Sequence, residues 1–352
     1  MKNLSLAIIG GGKWGYNHVR VYSELSEMGL CDELILCDHN QETLNRITAQ
    51  YNIHDAFSNI DEMLKEKTPD AAIIASPTDT HYELAMKLLP FSHLFIEKPI
   101  ALTLHDAKHI LETAKKHKKF LQVGHIERFN PAVTALKTTL QELIEDEPII
   151  DFFSKRIGPG PPSPKSYHGV GFDLLIHDID ICMYLFDSKP TFVTAVEAKP
   201  TNFLYASELQ AIYTFEIPFN DEGILLANLR ASYRANPNLK QRFLTIQTYS
   251  RTITMDYVLQ SVVELKGQVP QSAKAGFMDV MFTYLGREQT ERFLFTKDRV
   301  EPLYLQDKHF LESLHNNRAP EVDGIVGTNA LRCILSAIES AKTGEVTRIN
   351  WE

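Results

Sequence analysis

The sequence predicts an α/β first half built on a doubly wound parallel sheet, followed by an α+β second half with a mostly antiparallel sheet. Three observations lead there. Up to about residue 125, short apolar runs alternate with helical periodicities, as strands joined by crossover helices do. Those runs are continuous rather than alternating in polarity, which is expected of strands covered on both faces. From about residue 191 to 264, β-rich runs follow one another with little helix between them, which favours antiparallel pairing. A chain of 352 residues suits two domains rather than one core, divided here into 1–125 and 126–352.

In chain order, strands are expected at 4–9, 33–37, 56–57, 71–75, 94–96 and 120–123, with helices at 15–28, 41–51, 81–89 and 104–116. A helix at 131–144 follows, then a loop rich in Gly and Pro at 158–164, then an apolar helix at 172–185. Strands are expected at 192–198, 209–215, 224–232, 243–248 and 252–257, and helices at 308–314 and 328–343 close the chain.

Composition excludes several classes. The hydrophobic fraction is 44% and the charged fraction 23%, ordinary for a folded domain. A formal charge of −9 gives no basic footprint for nucleic acid or an anionic membrane surface. Residues 4–9 form a run too short for a secretory core, and no run approaches the roughly 20 apolar residues that span a bilayer; a cytoplasmic protein is expected. Cys31, Cys37, Cys182 and Cys333 lack metal-binding spacing and read as free thiols, so no metal is expected.

Gly10-Gly11-Gly12-Lys13-Trp14-Gly15 has the form GxGxxG between a strand and a helix, the context of a dinucleotide-binding (Rossmann) turn. Gly10 permits the tight turn, Gly12 lets the backbone approach a pyrophosphate, and Gly15 lets helix and strand pack closely. Lys13 and Trp14 open the helix whose N-terminus offers N–H groups to phosphate. Asp38 ends the second strand about twenty residues on; a carboxylate there accepts from the ribose hydroxyls of NAD and repels the extra phosphate of NADP. Its alternative role is to cap the helix near Gln41. Ser76-Pro77-Thr78 and His81 follow the fourth strand, at the sheet edge that faces the ligand crevice.

Glu97-Lys98-Pro99 ends the fifth strand, with Pro99 restricting the backbone of Lys98. In the apolar helix at 172–185, Asp173, His177, Asp180 and Tyr184 fall on one stripe at about 100° per residue. A carboxylate four residues from a histidine can orient its ring and raise its basicity, which suits general acid/base work. Asp178 lies off that stripe and is left to brace a neighbouring loop. A satisfied core histidine is the alternative reading of His177.

Together, GxGxxG at Gly10–Gly15, Ser76-Pro77-Thr78 with His81, Glu97-Lys98-Pro99 and Asp173-x-x-x-His177 resemble the ordered signatures of the Gfo/Idh/MocA oxidoreductases. The resemblance implies a Rossmann domain with Glu97 among its cofactor contacts, and a C-terminal substrate and oligomerisation domain with a large open sheet. It also implies hydride transfer between NAD(P) and a sugar or polyol carbon, a homodimer or homotetramer, and catalytic roles for Lys98, Asp173 and His177. Which of Lys98 and His177 is the base stays open. The segment His125–Pro131, the Arg156-Ile157-Gly158-Pro159 loop and Leu175–Asp180 are similar to the branch of UDP-N-acetylglucosamine 3-dehydrogenases. That likeness implies a nucleotide-sugar substrate contacted by His125, Arg128, Asn130, Arg156 and Asp180, and a pathway aminotransferase that consumes the 3-keto product. Asn130 and Pro131 also read as N-cap and first residue of a helix. Two alternatives stand beside it: a dehydrogenase of another polyol or aldose such as inositol, and a non-catalytic NAD-binding regulator.

Overall fold

The computed structural model describes residues 4–144, 147–159, 168–200, 204–217, 223–234, 240–266, 290–295 and 299–352. The expected loop at 158–164 lies outside them from residue 160 on.

The first sheet is built as β1 (Ser5–Ile9), α1 (Lys13–Glu27), β2 (Glu33–Cys37), α2 (Gln41–Tyr51), β3 (Asp55–Phe57), α3 (Ile60–Glu66), β4 (Ala71–Ile74), α4 (His81–Leu88), β5 (His93–Ile96), α5 (Leu104–Lys116) and β6 (Leu121–Val123). Its strand order is β3-β2-β1-β4-β5-β6, parallel throughout. This is the doubly wound dinucleotide-binding order, reversing between β1 and β4. The central strands β1 and β4 are apolar and buried on both faces. Helix α3 was not expected from the sequence, although its start is written there: Asn59 Oδ1 accepts the Asp61 N–H at 2.7 Å, and Asp61 and Glu62 occupy the first turn.

The second sheet has nine strands. The chain continues as α6 (Pro131–Ile144), β7 (Asp151–Ile157), a π-helical turn (Gly171–Leu175), α7 (Ile176–Phe186), β8 (Pro190–Ala198), β9 (Glu208–Glu216), β10 (Ile224–Ser232), β11 (Gln241–Gln247), β12 (Arg251–Asp256), β13 (Ser261–Lys266), β14 (Thr290–Phe295), α8 (Pro302–His315), α9 (Gly324–Thr343) and β15 (Thr347–Arg348). The order is β14-β13-β12-β11-β7-β10-β9-β8-β15. Pairing is antiparallel except where β7 lies parallel to β10. β7 was missed because Lys155 and Arg156 interrupt its apolar pattern. Burial alternates along β9, and along β10 as far as Ala231. Tyr213 on the buried face donates to the Cys333 carbonyl at 3.0 Å, while Phe192, Ile212 and Leu226 on the other face are exposed. No helix among the described residues is long and apolar enough to cross a membrane.

The division at residue 125 needs correction. Compactness separates Met1–Phe129 with Val300–Arg332 from Asn130–Arg299 with Cys333–Glu352, so the first unit takes back a later segment of chain. The reason is packing: Leu303, Phe310 and Leu311 of α8 join the core formed by Leu6, Val19 and Phe95. Phe310 meets Phe95 edge-on at 5.9 Å, and the Val123 N–H donates to the Val322 carbonyl at 2.9 Å. Sequence periodicity does not show where a chain returns. Phe310→Ala is expected to destabilise the first unit by about 3–5 kcal/mol, measured as a lowered midpoint in chemical or thermal unfolding; a midpoint within error of wild type would refute the packing role.

Candidate active site

The dinucleotide turn is held by two glycines and opened by a third. Gly10 has φ of +98°, a left-handed conformation that glycine adopts without a Cβ clash. A Cβ on Gly15 would lie 1.7 Å from the Gly10 carbonyl oxygen, whereas a Cβ on Gly12 would meet nothing within 4 Å. Gly15 is thus required by the fold, and Gly12 by whatever approaches from outside. Lys13 and Trp14 are exposed beside it.

Asp38 projects into the same turn. Its Oδ2 accepts the Gly11 N–H at 2.5 Å and its Oδ1 accepts the Asn40 N–H at 2.8 Å. Asn40, not Asp38, caps α2 by accepting the Thr43 N–H at 2.9 Å. A cavity of about 630 Å³ opens here, lined by Gly10, Gly12, Asp38, Ser76 and Pro77 and walled on the far side by Ile60. The open space at Gly12, the N-terminus of α1 and the Asp38 carboxylate fit a dinucleotide: N–H groups for the pyrophosphate and an acceptor for the ribose hydroxyls. The sequence reading missed the wall after β3, where Asp61 is bonded by Lys87 at 3.0 and 3.1 Å.

His81 does not face that cavity. It is buried, with Nδ1 2.9 Å from the Pro99 carbonyl and Nε2 3.1 Å from the Ser76 carbonyl. Burial drives its pKa down despite these two acceptors. The cofactor contact expected of His81 is corrected to an indirect one: it ties the Ser76 loop to the Pro99 loop. Thr78 opens a short 3-10 turn to Thr80, and the Thr80 hydroxyl lies 2.6 Å from that of Ser76.

Glu97 is likewise turned into the protein. Its Oε1 lies 3.1 Å from His18 Nε2, its Oε2 accepts the Lys98 N–H at 3.2 Å, and a Cβ on Gly124 would lie 2.9 Å from its carboxyl atoms. His18 Nδ1 in turn lies 2.9 Å from Asp307 Oδ2. This corrects Glu97 from a direct cofactor contact to part of the support beneath Lys98, which is half-buried. The Lys98–Pro99 peptide is cis. His18 falls on the buried stripe of α1 with Tyr22 and Leu25, and that placement was a legible signal; Asp307 and Gly124 gave none.

Within the second unit, Asp173 lies on the π-helical turn rather than on the regular stripe expected. One-turn π segments recur at functional sites. Its Oδ2 accepts the Tyr233 hydroxyl at 2.9 Å, a partner absent from the sequence reading. His177 and Asp180 are buried on α7. Asp178 braces a neighbouring strand rather than a loop: Arg156 Nε donates to it at 3.1 and 3.3 Å, and Arg156 Nη2 at 3.2 Å. Arg156 is 1% exposed and lies over the Tyr257 ring at 4.6 Å. Its guanidinium is engaged in bracing β7 against α7 rather than open to a diphosphate, the role expected of it. Asn130 is also buried: its Oδ1 accepts the Ala132 N–H at 3.1 Å, capping α6, and its amide donates to the Tyr257 carbonyl at 3.0 Å. The capping reading of Asn130 replaces the substrate-binding one. In the first unit His125 is buried and Arg128 half-buried, joined through the Arg128 N–H and the His125 carbonyl at 3.1 Å.

Comparison with known proteins agrees with this geometry. Residues 4–125 match the oxidoreductase family with an NAD-binding Rossmann fold, Gfo/Idh/MocA. The scyllo-inositol 2-dehydrogenase (NAD+) of Bacillus subtilis is 25% identical over 344 residues, covering 96% of this chain and 94% of that protein. The UDP-N-acetylglucosamine 3-dehydrogenase of Acidithiobacillus ferrooxidans is 30% identical over 201 residues, 56% of this chain and 58% of that one. Its solved structure superposes with a TM-score of 0.78 at 23% identity, covering 97% of this chain and 99% of that chain. Levoglucosan dehydrogenase in complex with NADH and levoglucosan gives a TM-score of 0.80 at 17% identity, covering 99% of this chain and all of that one (100%); these two structures establish the shared fold. The family match over residues 4–125 and the dehydrogenases it resembles make this chain an NAD(P)-dependent oxidoreductase acting on alcohol groups. Over residues 4–125 the chain carries the NAD-binding Rossmann domain of the Gfo/Idh/MocA oxidoreductases.

The two glycines separate folding from binding. Gly15→Ala is expected to abolish or severely lower thermal stability. Gly12→Ala is expected to leave the melting temperature nearly unchanged and weaken NADH at least tenfold by fluorescence titration, about 1.4 kcal/mol or more. Equal melting losses in both variants would contradict the assignment.

Proposed function

We propose that the protein is an NAD-dependent dehydrogenase that oxidises the 3-hydroxyl of UDP-N-acetylglucosamine to the 3-keto sugar. The observation that carries this reading is the 30% identity to the Acidithiobacillus ferrooxidans enzyme over 201 residues; the His125–Pro131 likeness to that branch supports it. NAD rather than NADP is supported by Asp38, whose carboxylate is fixed by two backbone N–H groups where a 2′-phosphate would be repelled. The Gly10–Gly15 turn holds the pyrophosphate and Asp38 the adenosine ribose. NAD held there would supply the acceptor for the hydride leaving C3. His177 takes the hydroxyl proton, in a site whose carboxylate Asp173 is itself fixed by Tyr233. Lys98 stabilises the negative charge that develops on the oxygen, a contribution on the order of 2.7–4 kcal/mol. The roles of Lys98 and His177 can be exchanged without altering the outcome.

A second reading, oxidation of a polyol such as inositol, is favoured by the match to the inositol enzyme across 96% of this chain. Nicotinamide reduction with UDP-N-acetylglucosamine, inositol, glucose and UDP-glucose, with the product followed by mass, separates the two. A 3-keto product from UDP-N-acetylglucosamine alone is expected, with His177→Ala lowering kcat by 10²–10⁴-fold. Turnover of inositol alone would replace the nucleotide-sugar reading by the second. NADH binding with no turnover of any of them would favour a regulator.

The exposed Phe192, Ile212 and Leu226 on the outer face of the nine-stranded sheet support a homo-oligomer formed through that face. Light scattering is expected to give a dimer or tetramer, and Ile212→Glu with Leu226→Glu to shift it to monomer. A wild-type monomer at micromolar concentration would discount that assembly.

A further inference from the structure

Beneath Lys98 lies a buried three-residue assembly drawn from three distant stretches of chain. His18 comes from α1, Glu97 from the end of β5 and Asp307 from α8, and all three are buried. Both ring nitrogens of His18 face carboxylate oxygens, at 2.9 Å from Asp307 and 3.1 Å from Glu97. The imidazolium, with two N–H donors, satisfies both carboxylates at once. Burial, the largest single influence, pushes the imidazole pKa down, but Asp307 and Glu97 together outweigh it and raise it to about 10. Asp307 is itself raised, by burial first and by Glu97 in part. Two rings pack against His18: the Tyr22 ring stacks at 6.2 Å and the Phe95 ring meets it edge-on at 5.1 Å.

A buried ion assembly is a weak source of stability, since apolar residues of similar volume often serve as well. It is a strong source of position, because breaking one contact strands a charge. Glu97 is confined on three sides: by His18, by the Lys98 N–H at 3.2 Å and by Gly124, where no Cβ would fit. Its carboxylate therefore fixes the start of the Lys98 turn.

We propose that His18 and Asp307 are positioning residues for Lys98, acting through Glu97. This rests on the reading that Lys98 meets the reacting oxygen, and it extends that reading to a residue on α8, in the returning segment of chain.

The test uses full-length His18→Gln and Asp307→Asn. With UDP-N-acetylglucosamine and NAD, kcat is expected to fall by about 10- to 100-fold while both KM values stay within about twofold. Two further readouts need no substrate. Acetylation of Lys98 by acetic anhydride at pH 8, followed by peptide mass, is expected to quicken relative to the exposed lysines as the turn loosens. Native stability should decline between pH 7 and 9 in wild type, because the folded state holds a proton on His18 that the unfolded chain releases near 6.5; that decline should vanish in His18→Gln. Unchanged kcat in both variants, or loss of kcat only in step with loss of NADH binding and with Lys98 reactivity unmoved, would overturn the proposal. If wild type turns over none of the candidate substrates, the Lys98 reactivity and the pH slope still decide it. If His18→Gln fails to fold, Asp307→Asn and Gly124→Ala press on the same carboxylate from other sides.

Discussion

The approach of Gly15 to the carbonyl of Gly10 is the constraint on which the first unit is arranged. A side chain at Gly15 would overlap that oxygen outright, so α1 can start only as close to β1 as two bare backbones allow. From that start the helix directs its N–H groups past Gly12 into open space and brings the Gly11 N–H to Asp38. The cavity, the phosphate cradle and the ribose acceptor all follow from one contact between two glycines. Further along the same helix, His18 is carried to Glu97 at the end of β5. One interaction thus connects the cofactor half of the site with the lysine half.

Much of this was legible in the sequence, for identifiable reasons. The strands β1, β2, β4 and β5 are buried on both faces and so read as unbroken apolar runs. The glycines of the turn and Asp38 are close in sequence and sit where a strand–turn–helix signature places them. The illegible parts are those where distant segments decide the outcome. His18 and Asp307 are 289 residues apart, and nothing local to either announces the other. Tyr233 is 60 residues from the Asp173 it bonds. Pro302 at the first turn of α8 was a usable signal, but the onto-what of its packing was not.

Buried polar residues in the second unit show where pattern reading overreaches. Arg156 and Asn130 are residue types that recognise ligands, and both are instead used internally, one opposite Asp178 and one as a helix cap. Both contacts converge on Tyr257, whose ring lies beneath Arg156 and whose carbonyl takes the Asn130 amide. α7, which carries His177, is therefore pinned by the Arg156–Asp178 pair, while the Asn130 cap fixes the start of α6. A polar side chain in a candidate site has two competing uses, and the partner that is nearest in space, not in sequence, decides between them.

The first unit is not continuous in the chain, and this bears on how the protein is made. A ribosome releases Met1–Phe129 long before Val300–Arg332, and eight of the nine strands of the second sheet are synthesised in between. Until α8 emerges, His18 has no Asp307, and the apolar surface later covered by Leu303, Phe310 and Leu311 stays open to water. The nascent dinucleotide domain is thus an unfinished core that closes only when Val300–Arg332 arrives. A gene cut after residue 129 would encode that waiting intermediate rather than a separable cofactor-binding module.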